Sequence, residues 1–214
     1  MCYTVESSIV ALITGALGAL TLAWSGNQSE VILALLFLFV ITMQLFDAIF
    51  WSTQKAVKLV DPSALLINNF FTKAAMLYNH LQPLVLSGLI IYVTQSALPL
   101  WSTLAICLYS VIAILYTINV WPETTVTVEQ PPAKPGLFWQ WTKGDHYEVM
   151  YSVFMATIAV LFVENLHGKA ALLGLTLTAG TLFFSVERHG GKSDAGRWWC
   201  NYAAYIPLLY QIVR

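Results

Sequence analysis

Seven apolar stretches divide this chain, and each is long enough to cross a bilayer as a helix. They run over about 8–24, 31–51, 73–93, 100–120, 147–163, 170–186 and 198–213. A spanning helix needs roughly 20 mostly apolar residues. In hydrocarbon every backbone N–H and C=O must be satisfied inside the protein, which leaves helices or a closed barrel. None of the seven stretches alternates polar and apolar residues, so helices are expected. The fold class that follows is all-α: one integral membrane bundle of seven transmembrane helices, forming a single domain.

Composition bears on what else the chain could be. Hydrophobic residues make up 58% of it and charged residues 10%, with a mean hydropathy of +0.69. That leaves too little polar side chain to cover a water-soluble globule. A formal net charge of -1 and the absence of any basic block exclude a nucleic-acid footprint. Cys2, Cys107 and Cys200 are too few and too scattered for a disulfide framework. No basic n-region or small-residue cleavage site surrounds the first apolar run, so it is expected to be retained as a membrane helix.

The punctuation between stretches fits this division. Ser25-Gly26-Asn27-Gln28 parts the first two, Asp61-Pro62-Ser63 follows the second, and Trp121-Pro122 ends the fourth. Trp24, Trp51, Trp101, Trp121, Trp198 and Trp199 stand at span ends, where indole favours the headgroup layer. The polar loop 122–146 carries Pro131-Pro132 and then Leu137-Phe138-Trp139-Gln140-Trp141; it reads as an ordered loop touching the headgroups. Ala11, Gly15 and Ala19, and likewise Ala170 and Gly174, form small-residue stripes suited to close helix packing.

Lysine and arginine set the expected orientation. With seven spans, Lys55, Lys58, Lys134, Lys143, Arg188, Lys192 and Arg197 share the side of the N-terminus, against Lys169 and Arg214 on the other. This bias places the N-terminus in the cytoplasm and the C-terminus on the opposite side. The far side is left with Asn27, Gln28, Glu30, Gln95, Glu164, Asn165 and His167.

Polar groups inside the bilayer are costly and need a reason. Gln44, Asp47 and Trp51 in the second span follow i, i+3, i+7 and share one helical face. The third span contains Asn79, His80, Gln82 and Pro83. Pro83 lacks an N–H and its ring clashes with the carbonyl of residue 79, so a kink is expected there. At about 1.5 Å rise per residue, Asp47 lies about 6 Å, Gln44 about 10 Å and His80 about 10 Å from the cytoplasmic ends of their spans. A direct or water-mediated contact of His80 with Asp47 or Gln44 is the expectation. Gln44, Asp47, Asn79, His80, Gln82 and Glu6 are the candidate binding residues. Cys2, Asp47, His80 and Cys200 offer metal-ligand chemistry, although no HExxH or CxxC spacing is present.

The opening Met1-Cys2-Tyr3-Thr4-Val5-Glu6-Ser7-Ser8 and the segment Met43–Trp51 resemble a family of uncharacterised multi-span membrane proteins of bacteria and large DNA viruses. Its members begin Met-Cys-Phe/Tyr-Ser and carry Gln-x-x-Glu/Asp-x-x-x-Trp on the second span. Thr4 stands here where that pattern has Ser. Viral members add Asn-His-Leu-Gln-Pro on the third span, matched by Asn79 to Pro83, and a Trp-Cys near the last, matched by Trp199-Cys200. The resemblance implies no activity. It does imply that Cys2, Glu6, Gln44, Asp47, Trp51, His80, Gln82 and Cys200 form one unit.

Three functional classes follow from the residues. The first is a small transporter or channel whose polar intramembrane site opens to the cytoplasm and takes a proton, a small cation or a small molecule. The second is a membrane-embedded metal-binding protein or enzyme using Asp47 and His80. The third is a ligand-binding, receptor-like or structural subunit. For that class a retinal Schiff base is excluded in the usual place, because the last span contains no lysine. The cofactor is left open, as is self-association, and membrane lipids are the expected surroundings.

Overall fold

Thr4 decides where the first helix begins. In the computed structural model, which describes residues 4–24, 27–122, 126–129, 136–139, 145–189 and 202–213, helix α1 runs Val5–Ala23. The Thr4 hydroxyl oxygen accepts from Ser7 N at 3.1 Å and Ser7 Oγ accepts from Thr4 N at 3.1 Å, a reciprocal capping box. Asn27 caps α2 (Gln28–Ile41) with a single side-chain bond, accepting from Ser29 N at 2.9 Å. α3 (Met43–Lys58) continues α2 after one irregular residue, Thr42, giving 31 apolar-rich residues in all.

α4 (Pro62–His80) and α5 (Gln82–Thr94) follow, bent by 51° at Leu81. The kink expected from Pro83 is therefore present. α4 begins at Pro62, well before the Lys73 start expected from hydropathy. Asp61 Oδ1 caps it by accepting from Ala64 N at 2.9 Å, and Pro62 sits in the first turn, where its missing N–H costs nothing. α6 (Leu100–Val120), α7 (Tyr147–Asn165), α8 (Lys169–His189) and α9 (Ile206–Val213) follow. Between α6 and α7 the loop carries an antiparallel ribbon, β1 (Val126–Glu129) with β2 (Gly136–Trp139), in register Val126↔Trp139 to Glu129↔Gly136. Leu137 and Trp139 of the ribbon are buried.

Among the described residues four helical stretches, α1, α2–α3, α6 and α7, are long and apolar enough to cross a membrane, and the bent α4–α5 pair makes a fifth if it is one span. The expected sixth stretch falls within α8. The expected seventh includes α9, while its residues 198–201 lie outside the described residues. Large apolar side chains cover the exterior: Ile13, Leu17 and Leu20 on α1, and Leu104, Leu108, Val111 and Leu115 on α6. A patch of that size matches lipid rather than water.

The turn between α3 and α4 is tight. Val60 N–H bonds the Val57 carbonyl at 3.0 Å and Asp61 N–H bonds the Ala56 carbonyl at 3.0 Å, the Schellman pattern. The left-handed position of that motif, usually glycine, is held here by Val60 at φ 57°. A β-branched side chain is strained there by about 1–2 kcal/mol. Val60 is exposed and loses no packing on truncation. Val60→Gly is therefore expected to stabilise the protein by about 1 kcal/mol in thermal unfolding of the detergent-solubilised protein.

The small-residue stripes pack as expected. Ala11, Gly15 and Ala19 are buried, with Gly15 against Ala204, Gly18 against Leu208, and Gly174 against Leu33. Gln211 Nε2 donates to the Gly18 carbonyl at 2.8 Å and to Thr21 Oγ1 at 2.7 Å. Both chains advance together in these pairings, so α9 runs parallel to α1.

One end of the bundle gathers the expected far-side residues. Ser102 N and Oγ donate to Glu164 Oε2 at 2.9 and 2.8 Å, and Asn165 Nδ2 donates to Ser102 Oγ at 2.9 Å. Pro99 gives α6 no side-chain cap, so the Glu164 carboxylate of α7 supplies one across the interface. His167 N donates to Ser29 Oγ at 3.0 Å, and Tyr210 OH to Glu30 Oε1 at 3.3 Å.

Candidate functional site: a polar interior beside two helix breaks

α4 is inside-out. Beyond its first turn, its exposed positions are Leu66, Ile67, Phe70 and Leu77, while Asn68, Thr72, Asn79 and His80 are buried. Asn68, Thr72 and Asn79 are spaced i, i+4, i+11 and line one face. α3, packed antiparallel to α4, buries Gln44, Asp47 and Gln54. Gln82, the first residue of α5, is fully buried too. The two helices thus bury a set of polar side chains among apolar ones such as Met43, Phe50, Ala75 and Met76, while the exposed side of α3 carries Ser52, Lys55 and Lys58.

At the α4–α5 break the polar groups reach α6 and α7. His80 Nδ1 lies 2.8 Å from Thr117 Oγ1. The Tyr109 hydroxyl donates to the His80 carbonyl at 2.6 Å. Asn79 Nδ2 donates to Tyr151 OH at 3.1 Å, and Gln82 Nε2 donates to Asn79 Oδ1 at 3.3 Å. The His80 ring stands edge-on to Tyr116 and Tyr151, with centroids 5.6 and 6.4 Å away. His80 Nε2 and Gln82 Oε1 are buried with no hydrogen-bond partner among the described residues. Pro83 has no N–H for the Asn79 carbonyl. A polar node of this kind can hold water, a cation or a small hydrogen-bonding molecule.

The expected direct contact between His80 and Asp47 or Gln44 is not made; the polar partner of the His80 ring is Thr117. The depth argument counted His80 from Lys73, whereas α4 starts at Pro62 and turns back on α3 at 59–61. Counted from that turn, Asp47 stands level with about residue 74, and His80 lies about 9 Å further along the helix. The rings agree: Phe46 meets both Phe71 and Tyr78, at 6.2 and 5.5 Å. Gln44, Asp47, Asn79, His80 and Gln82 all belong to the buried polar interior.

Glu6 does not join them. It is exposed in the first turn of α1. Of the expected metal set, Cys2 and Cys200 lie outside the described residues. Among the described residues no three His, Cys, Asp or Glu side chains are grouped to hold a metal ion. Cys107 is exposed on α6.

Tyr109, Tyr116, Thr117 and Tyr151 escaped the reading of the sequence. A signal was present on α6, where Ser102, Tyr109 and Tyr116 recur every seventh residue and are all buried. Tyrosine at that spacing in an apolar helix marks a face turned toward polar neighbours. Comparisons with protein-family models, curated proteins and solved structures match nothing to this chain.

Proposed function

We propose that this chain is an integral membrane protein with seven spans, cytoplasmic N-terminus and opposite C-terminus, that works as a small transporter or channel. Its cargo is a proton, a small cation or a small polar molecule. The carrying observation is the set of buried polar side chains on α3 and α4, Gln44, Asp47, Gln54, Asn68, Thr72 and Asn79, which ends at a proline-broken helix. Buried polar groups at a discontinuous helix are a recurring way to build a transport site. The parallel course of α1 and α9 supports an odd number of crossings, and the Lys and Arg bias supports the sidedness.

Flux in proteoliposomes tests the proposal. Asp47→Asn and His80→Ala are each expected to lower the rate about tenfold, the effect of about 1.4 kcal/mol on a barrier. Unchanged rates in both variants, with protein correctly inserted, would overturn it.

A further inference from the structure

α6 and α7 enclose a groove on the outside of the bundle, away from the polar interior of α3 and α4. The two helices run antiparallel: Ser102 meets Glu164 and Asn165 at one end, and Tyr109 meets Phe154 two turns further in. The groove between them has a volume of about 560 Å³. α6 lines it with Trp101, Leu104, Ala105 and Leu108, which are spaced i, i+3, i+4, i+7 and so share one face. α7 lines it with Ala159, Val160, Val163 and Glu164. Ala105 and Ala159 are only partly buried, and they leave room that a longer side chain would fill.

Trp101, Leu104, Leu108 and Val163 are exposed, so the groove opens on the apolar exterior that faces lipid. The seven residues from Trp101 to Leu108 rise about 10 Å. One leaflet's hydrocarbon is about 15 Å deep, half of the bilayer core. A groove of that length takes most of one acyl chain and is too short to seat a spanning helix of another protein. Its mouth is polar. Both bonds from Ser102 go to Glu164 Oε2, and Oε1 takes no hydrogen bond or ion pair among the described residues. Asn165 Nδ2 is taken up by Ser102 Oγ and the Leu161 carbonyl, so it does not offset that oxygen. The Trp101 indole N–H has no partner among the described residues, at a span end where indole meets the headgroups.

We propose that the α6–α7 groove is a binding site for one phospholipid whose headgroup carries a primary ammonium, of the phosphatidylethanolamine kind. One acyl chain fills the groove. The ammonium donates to Glu164 Oε1 beside the Trp101 ring, whose face attracts a cation. The indole N–H donates to an ester or phosphate oxygen of the same lipid. An anionic headgroup such as glycerol phosphate is repelled by the carboxylate, and a choline headgroup has no N–H to give it. The site needs a membrane but no transport, and none of its residues belongs to the buried polar set of α3 and α4. It therefore stands or falls apart from the proposed function.

Photo-crosslinking of the full chain tests this, in phosphatidylcholine nanodiscs doped with phosphatidylethanolamine carrying a diazirine on one acyl chain. Phosphatidylglycerol with the same chains is the comparison, and labelled peptides are mapped by mass spectrometry. The ethanolamine lipid is expected to label residues 101–108 and 159–164 about tenfold more than the glycerol lipid, the lower end of what a hydrogen bond to a charged group contributes. Glu164→Gln keeps an amide oxygen for the two Ser102 bonds and removes the charge. It is expected to erase that preference while leaving thermal unfolding in detergent unchanged. Glu30→Gln, a carboxylate at the same end that accepts from Tyr210, is expected to leave the preference intact. Ala159→Phe fills the groove and is expected to suppress labelling there by both lipids; Ala105→Phe serves if that variant does not fold. Equal labelling by the two lipids in the parent, a preference that survives Glu164→Gln, or groove labelling that survives both filled variants would overturn the site. So would crosslinks that join two copies of the chain through the groove in place of lipid.

Discussion

Gly15→Leu is expected to destabilise the protein by about 3 kcal/mol, the upper end of the usual cost of overpacking. A Cβ at this position falls 2.6 Å from the carbonyl oxygen of Ala204 and 3.0 Å from a methyl of Ile41. The first neighbour is backbone, which cannot rotate aside, so α1 and the segment leading into α9 must separate. In lipid this separation is serious, because helix association there depends on close packing rather than on burial from water. Gly88 is the control: nothing lies within 4 Å of its would-be Cβ. Gly88→Ala is expected to be neutral or stabilising by a few tenths of a kcal/mol. Unfolding of both variants in mixed detergent micelles measures the difference. Equal stability of Gly15→Leu and the parent would mean that α1 and α9 are not in contact.

Tyr109→Phe is expected to cost about 1.5 kcal/mol, near the top of what one hydrogen bond between membrane helices contributes. Most such bonds are worth about 0.6 kcal/mol, since the separated helices find other partners. The Tyr109 bond differs in its acceptor. It meets the His80 carbonyl at 2.6 Å, beside a break where Pro83 has already removed one backbone donor. Phenylalanine keeps the ring and its edge contact with Phe154 at 6.0 Å, so the loss isolates the hydroxyl. The buried carbonyl is then left without that donor, which is the costly outcome for a polar group in an apolar interior. Tyr92→Phe, at an exposed ring on α5, is expected to change nothing. The same detergent unfolding experiment reads both. A neutral Tyr109→Phe would show that the carbonyl is satisfied from elsewhere.

The two variants mark where the sequence could and could not be read. Gly15 stood in a visible small-residue stripe, and a stripe of that spacing has one use, close packing. Tyr109 looked like one more aromatic in an apolar helix. What makes it matter is that α6 turns this face toward the α4–α5 break, and that rotation is fixed by neighbours remote in sequence. The candidate site divides in the same way. Gln44, Asp47, Asn79, His80 and Gln82 were legible because polar side chains in an apolar run are conspicuous. Their partners were not, since Thr117 and Tyr151 belong to helices the local pattern does not relate to them. Depth was misjudged for one identifiable reason. Hydropathy started the third span at Lys73, while the Asp61 cap and the inside-out face of α4 start the helix at Pro62.

The sequence by itself determined the class of environment, the limits of most helices, the kink at Pro83 and the small-residue contacts. Each of these follows from neighbours a few residues apart: run length, capping chemistry, the missing proline N–H, the absence of a side chain. Only the tertiary structure decided that His80 turns to Thr117 instead of Asp47, that Glu6 stays outside, and that Tyr78 of α4 stacks on Phe39 of α2. Those outcomes depend on how each helix is rotated and how far it slides past the next. Packing over the whole bundle sets both, and no single segment encodes either.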